Sequence, residues 1–433
     1  MDFPAPARKE SLPPSRSLPL LSYNTQTKMP RSYSKIFLKE TDPTAIKLEL
    51  SSILSIPIKR WEILKGSKNT HGLSLNGKVG ILNHGNTCFL NSVIQCLYNI
   101  KSLTIYFISD QYLNDMNTLS DTKGVAKSYA KLVKAMSTQN TVSGLEFKDE
   151  ICKHLQYFEG FDQQDAQEFL VNLLDALSED LNRAFSKIHK VKFEVSEKEE
   201  DMLVPEMKAK LDWNRYQCIH RSLIFDIFGG QFESRIECTQ CKNKTYSFDL
   251  FWDVSLPLKS KRFGNNDLNQ CLDAFVEDEE MDYKCAKCQN KKANKMQKIY
   301  KWPVVLVLHL KRFYYLLGWN KNSSEIKFQK DLVVDKWTSE IPGADSGPKY
   351  KLVSAICHYG SLDYGHYIAY CLDEEDEKWY CKNDDEVSEY NFKVHKRTPS
   401  FEFRKKKKEI KEEEFVKELG KNAYILIYHQ VIE

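Results

Sequence analysis

Between Gly80 and Ser92, a turn rich in Gly and Asn delivers one cysteine, Cys88, to the start of an apolar stretch. There Phe89, Leu90, Val93, Ile94 and Leu97 recur at helical spacing. A thiol at a helix N-terminus meets unpaired backbone N–H groups and the positive end of the dipole, which favour thiolate over thiol. The same N–H groups, with an amide side chain beside them, can bind an oxyanion, and Asn83 and Asn86 are the candidate amides. This is the chemistry of a nucleophilic cysteine. The competing reading is a buried structural cysteine next to a helix cap, and spacing alone does not separate the two.

A nucleophilic thiol needs a base, and the chain offers 10 His. His309 sits in the apolar run that starts at Val304 and reads as a core residue. His84 shares the turn with Cys88, where a ring cannot easily reach round. His358 and His366 border the stretch from Tyr359 to Tyr367, whose Gly360 and Gly365 make a mobile loop ending at a strand. A loop beside a rigid strand suits a base that shifts during a reaction. The residues rank His366 only slightly above His358.

Two C-x-x-C pairs form a second constellation, Cys238/Cys241 and Cys285/Cys288. With 12 Cys in 433 positions, chance predicts about 0.33 such pairs, so two of matched spacing argue for one shared site. Four thiolates satisfy a tetrahedral Zn²⁺ completely and leave no open position, so the expected metal is structural. A thioredoxin-like redox role would need a helix starting at one pair, and neither has a helical face after it.

These groups must be positioned by a sizeable fold. The 433 residues carry 63 Lys+Arg against 60 Asp+Glu, a net charge of +3 that argues against a nucleic-acid binder. No apolar run approaches the ~18 residues of a membrane span, and no secretory leader is legible, so the cysteines read as thiols or metal ligands in a reducing compartment. Eight of the 14 Pro lie between Pro4 and Pro57, and residues 1–74 read as a flexible or partly ordered extension. Its more apolar segment, 44–64, is either a partner-docking element or one packed on the main domain. From there to Val431 the pattern is globular. The first part is helical, with Phe169, Leu170, Leu173, Leu174 and Leu177 on one face. From Phe232 onward it turns to strands, including the run from Val304 to Leu308 and that from Tyr424 to Tyr428. The basic run Arg404 to Lys408 and the acidic stretch after it read as a solvated helix, with a nuclear-import patch as the second reading. The expected compartment is the cytoplasm, with the nucleus as a second location.

Together these stretches resemble the ubiquitin-specific proteases. Gly80 to Cys96 is similar to that family's Cys box, and Tyr350 to Tyr370, with Gly365-His366-Tyr367, to its His box. Trp379 to Val387 resembles the segment carrying the third catalytic residue. Phe161 to Phe169 and His309 to Phe313 are further family blocks, and both C-x-x-C pairs fall where the family has its finger zinc site. The resemblance runs from about 78 to 430.

What the resemblance implies is an α+β, papain-like cysteine peptidase with a helical thumb (about 78–225), zinc-ribbon fingers (about 226–300) and a β-sheet palm (about 301–433), the domain spanning 75–433. It implies a deubiquitinase that hydrolyses the (iso)peptide bond after the last Gly of ubiquitin, acting on ubiquitin and ubiquitinated proteins. Carried over, Cys88 is the nucleophile, His366 the base, Asn383 the residue orienting the base and Asn83 the oxyanion donor. Asp165 and Glu168 match acidic positions that hold the basic ubiquitin tail, and Tyr364 and Gly365 border the tail channel. Cys238, Cys241, Cys285 and Cys288 hold one structural Zn²⁺, and no catalytic cofactor is expected. The alternative is a catalytically weak ubiquitin-binding scaffold. Three departures from the family pattern stand out: His84 replaces a usual Leu, Asn383 is an amide where many members have Asp, and the stretch from about Phe392 to Asn422 is longer.

Overall fold

The computed structural model describes Leu75 and residues 77–122, 124–184, 203–259, 266–315, 318–361, 364–390 and 414–431. The extension 1–74, the segment 44–64 within it and the basic run 404–408 lie outside the described residues. Among the described residues no helix is long and apolar enough to cross a membrane.

The chain enters through a short strand β1 (Gly80–Leu82) and then helix α1 (Cys88–Tyr98), every residue of which is buried. Helices α2 (Lys101–Ile108) and α3 (Val125–Thr138) follow, then strand β2 (Thr141–Ser143), which pairs in parallel with β1. Helices α4 (Leu145–Cys152), α5 (Ala166–Asp180), α6 (Pro205–Ile219) and α7 (Leu223–Phe228) complete the helical part, the thumb. Phe89 of α1 stacks on Phe158 and meets Phe169 of α5 edge to face. Burying one such ring is worth roughly 1.5–3 kcal/mol, so these contacts anchor the helix that carries Cys88.

The fingers are a four-stranded antiparallel sheet of β3 (Gly230–Cys238), β4 (Lys244–Phe251), β7 (Glu279–Asp282) and β8 (Lys292–Lys301), in the order β4-β3-β8-β7. Between β4 and β7 the chain makes β5 (Val254–Pro257), β6 (Asn266–Asp267) and helix α8 (Leu268–Val276). The palm is built from β9 (Val305–Lys311), then a hairpin of β10 (Phe313–Tyr315) and β11 (Trp319–Lys321), then β12 (Ile326–Lys327) and β13 (Asp331–Val333). Next come β14 (Lys349–Gly360), β15 (Gly365–Asp373), β16 (Lys378–Asn383), β17 (Glu386–Glu389) and the last strand β18 (Ala423–Gln430). The palm sheet runs β17-β16-β15-β14-β18-β9-β5, with β13 paired to β14. The buried apolar run from Val305 is therefore the partner of the last strand.

One expectation is corrected. Residues 414–422 are helical, but they are not simply solvated. Phe415 and Leu419, four apart on one face, are buried, and Phe415 packs on Trp379 and Tyr390 of the palm. The charge pattern of this stretch describes its wet face only. The apolar pair at i, i+4 is what docks the helix.

Candidate active site

The Cys turn is shaped by its amide and glycine residues. Asn83 Oδ1 accepts from the backbone N–H groups of Gly85 (2.9 Å) and Thr87 (3.3 Å), which closes the turn and fixes which way the amide faces. Thr87 precedes α1, and Cys88 opens it, 1% exposed. Asn86 is spent elsewhere: its side chain donates to Phe161 O and accepts from Gln163, stapling that loop to the turn. Of the two candidate amides, Asn83 is the one whose N–H₂ remains directed at the site. His84 turns away to Ser143 (2.7 Å).

Strand alternation separates the two palm histidines. His358 pairs with Tyr367 and His366 with Tyr359, so the two rings lie on opposite faces of the sheet. His358 is 2% exposed, packed among Phe313, Tyr367 and Tyr424, and burial lowers its pKa to about 3. Gly365 lets the strand pass over that ring; a Cβ there would sit 2.0 Å from His358 Nε2. His366 instead stands beside the Cys88 thiol, and its Nε2 lies 2.6 Å from Asn383 Oδ1. The contact with Cys88, then that with Asn383, raise the imidazole pKa from 6.5 to about 9 against the opposing effect of burial. With Nε2 engaged by Asn383, Nδ1 is the nitrogen left for the thiol. His309 is only partly buried: it meets Ser255 Oγ at 2.7 Å and the Tyr424 ring edge to face, and loss of solvent around the ring lowers its pKa to about 3.

Asp384, next to Asn383, occupies the two-residue turn between β16 and β17 with φ +54°, which an Asp tolerates. Its Oδ2 accepts from Asn83 Nδ2 (2.8 Å) and stands 3.7 Å from His366 Nε2, while Oδ1 accepts from Asn91 Nδ2 of α1 (2.8 Å). Its backbone carbonyl receives the N–H of Ile81, and Gly80 leaves room for Asp385, whose carbonyl oxygen would lie 2.3 Å from a Cβ. The palm turn is thus docked on the Cys turn. Asn383 was legible in the sequence and Asn91 was not; the signal for Asn91 was a polar residue at i+3 from Cys88 on a mostly apolar helix.

The acidic pair divides its roles. Asp165 is the N-cap of α5, accepting from the N–H groups of Gln167 and Glu168, and Tyr424 Oη donates to its other oxygen (2.5 Å). Glu168 is half-buried, and burial, then the charge of Asp165, push its carboxyl up. Two close carboxylates partly shut off from water favour an incoming cation. Tyr364 is 87% exposed, and Tyr315 and Trp319 of the β10/β11 hairpin are exposed too. Lys321 ties that hairpin to the His loop by donating to the carbonyls of His358 (2.8 Å) and Gly360 (2.9 Å).

At the finger tips the four sulfurs of Cys238, Cys241, Cys285 and Cys288 lie within 4.8 Å of one another. The pairs Cys238/Cys288 and Cys241/Cys285 are each 3.6 Å apart. A tetrahedral zinc site with Zn–S of about 2.3 Å has edges of ~3.8 Å, so the cluster fits one such ion. The backbone N–H of Cys241, aided by that of Gln240, brings Cys238 down to about 6, and equivalent donors from Cys288 and Lys287 lower Cys285.

A helix-borne thiol, a strand-borne imidazole and an amide, set between helical thumb and sheet palm with a four-cysteine finger tip, give a thumb–palm–fingers fold with a cysteine-centred site. The sequence model of the family described as ubiquitin carboxyl-terminal hydrolase matches residues 79–428, and the chain belongs to that family. It is 36% identical over 320 residues to ubiquitin carboxyl-terminal hydrolase Usp2 of Drosophila melanogaster, covering 72% of this chain and 33% of that one. It is 33% identical over 334 residues to ubiquitin carboxyl-terminal hydrolase 2 of Rattus norvegicus, covering 75% and 53%. The chain therefore spans about half or less of the length of these relatives. Among solved structures it resembles a chain of the SAGA Ubp8/Sgf11/Sus1/Sgf73 DUB module bound to monoubiquitin. The TM-score is 0.59 at 26% identity, covering 89% of this chain and 76% of that one.

Proposed function

We propose that this chain is a cysteine-type deubiquitinase, with residues 75–433 as its catalytic domain, that hydrolyses the (iso)peptide bond after the C-terminal Gly of ubiquitin. The observation that carries the reading is His366 held between the Cys88 thiol and Asn383. The family membership and the likeness to a ubiquitin-bound module support ubiquitin as the ligand.

In this mechanism His366 takes the proton of Cys88, and the thiolate sulfur attacks the carbonyl carbon of ubiquitin's last Gly. One amide hydrogen of Asn83 is held by Asp384; the other, with the N–H of Cys88, receives the oxyanion. Such a donor is typically worth about 2.7–4 kcal/mol. The leaving lysine amine takes the proton back from His366, and water then hydrolyses the thioester. Asn383 keeps the ring oriented throughout. Glu168 meets the basic tail of ubiquitin, while Asp165 holds the start of α5 beside it; Tyr364 and Gly365 line the channel. The finger cysteines hold one Zn²⁺, which supplies cross-linking of the finger tips and no reaction step. A silent ubiquitin-binding scaffold would lack part of the Cys/His/Asn set, and all of it is present.

The test is reaction with ubiquitin bearing a C-terminal thiol-reactive warhead. A single adduct mapping to Cys88, lost in Cys88→Ser while ubiquitin binding persists, is expected. No adduct, or one on Cys96 or Cys152, overturns the assignment.

A further inference from the structure

Gln95 lies seven residues after Cys88, two turns along the same face of α1, and is 1% exposed. Its side-chain Nε2 donates to Val79 O (2.7 Å), just ahead of the strand that leads to Asn83. Its Oε1 accepts from Lys382 Nζ (2.9 Å), the residue before Asn383 on β16. Its backbone carbonyl accepts from Cys371 Sγ (3.6 Å) on β15, the strand that His366 opens. One residue of α1 therefore touches the approach to β1, β15 and β16, the elements that lead to Asn83, His366 and Asn383.

Lys382 is the unexpected partner. It is 2% exposed, with its ammonium 5.9 Å from the Tyr98 ring centre. A buried ammonium is costly, and a hydrocarbon side chain would fill this place without that cost. What a buried polar pair adds is register, because it is satisfied in one alignment and orphaned in the shifted ones. The spacings fit such a role. On α1, Asn91 and Gln95 are four residues apart, about 6 Å of helix rise. On the palm side, Lys382 lies on β16 and Asp384 two residues on, in the turn that follows the strand. The two pairs, Asn91 with Asp384 and Gln95 with Lys382, therefore meet in step.

We propose that Gln95 and Lys382 form a buried register lock that positions Cys88 on the thumb against His366 and Asn383 on the palm. Neither side chain touches substrate; both act through the elements they tie. The inference rests on the deubiquitinase reading for its turnover assay, so a second readout independent of ubiquitin accompanies it.

The test compares Lys382→Met and the double variant Gln95→Met/Lys382→Met with the parent chain. The double variant removes both partners of the shared bond but also the donor to Val79 O, so the melting temperature of each variant is measured beside its turnover. The lock predicts a kcat on ubiquitin–fluorophore amide at least tenfold below the parent in both, with KM within twofold. It also predicts that the pH profile of Cys88 alkylation by iodoacetamide shifts to higher pH in both, because the thiol loses its aligned imidazole. A double variant with the kcat and alkylation profile of the parent overturns the proposal. So does a loss of kcat that merely follows the unfolded fraction. If the parent does not turn over ubiquitin, the deubiquitinase reading fails, while the alkylation profiles still decide the lock.

Discussion

Asp384 Oδ2 accepts a 2.8 Å hydrogen bond from Asn83 Nδ2 across a sequence separation of 301 residues. This bond sets one amide hydrogen of Asn83 and so aims the other. Asp384→Asn replaces an ionic acceptor by an amide that can present N–H₂ to N–H₂, releasing Asn83 from its orientation. Losing one oriented oxyanion donor should lower kcat by about 100-fold or more, with KM nearly unchanged. Steady-state kinetics on ubiquitin–fluorophore amide measure both. An undiminished kcat would mean that Asn83 is not held for this purpose by Asp384.

His366 and Asn383 predict a pH dependence. The imidazole pKa is raised from 6.5 to about 9, so the contacts that stabilise its charged form are complete below 6.5 and are lost as the pH climbs through about 9. The acid that protonates the leaving amine disappears over the same range. Turnover should therefore fall on an alkaline limb near 9. Asn383→Ala removes one of the causes of the raised value and should lower kcat and move that limb to lower pH, with binding of ubiquitin retained. A limb that stays in place in Asn383→Ala, but moves in Asp384→Ala, would give the orienting role to Asp384.

Glu168 and Asp165 should separate in experiment although they are neighbours. Glu168→Lys reverses the charge offered to a basic tail and is expected to raise KM at least tenfold with kcat little changed, less so at high salt. Asp165→Ala loses the helix cap instead, a change of about 1 kcal/mol in stability. A Glu168→Lys enzyme with the KM of the parent would remove Glu168 from the tail channel.

The finger cluster should be a folding element. Cys241→Ser removes one of four ligands, so purified protein should lose its metal and melt at a lower temperature, because structural zinc contributes folding free energy directly. Elemental analysis and thermal melting decide this together. Fully active protein that contains no zinc would end the assignment.

Short-range chemistry was legible in the chain. The Gly- and Asn-rich turn ahead of an apolar helix pointed to Cys88, because turn closure and helix start are set within a dozen residues. The matched C-x-x-C pairs pointed to one metal site for the same reason. Alternation of strand residues, by contrast, separates His358 from His366 only once the pairing of β14 with β15 is known, since either ring could face the thiol until then. The preference for Asn83 over Asn86 depends on Phe161 and Asp384, which reach the turn from distant parts of the chain. The docking of 414–422 was hidden because its charges dominate its composition, while Phe415 and Leu419 carry the contact. Gln95 and Lys382 gave no local signal, for a polar residue in an apolar helix and a lysine in a strand are each unremarked alone. Their 287-residue separation is closed only when thumb and palm pack, and packing alone turns them into partners.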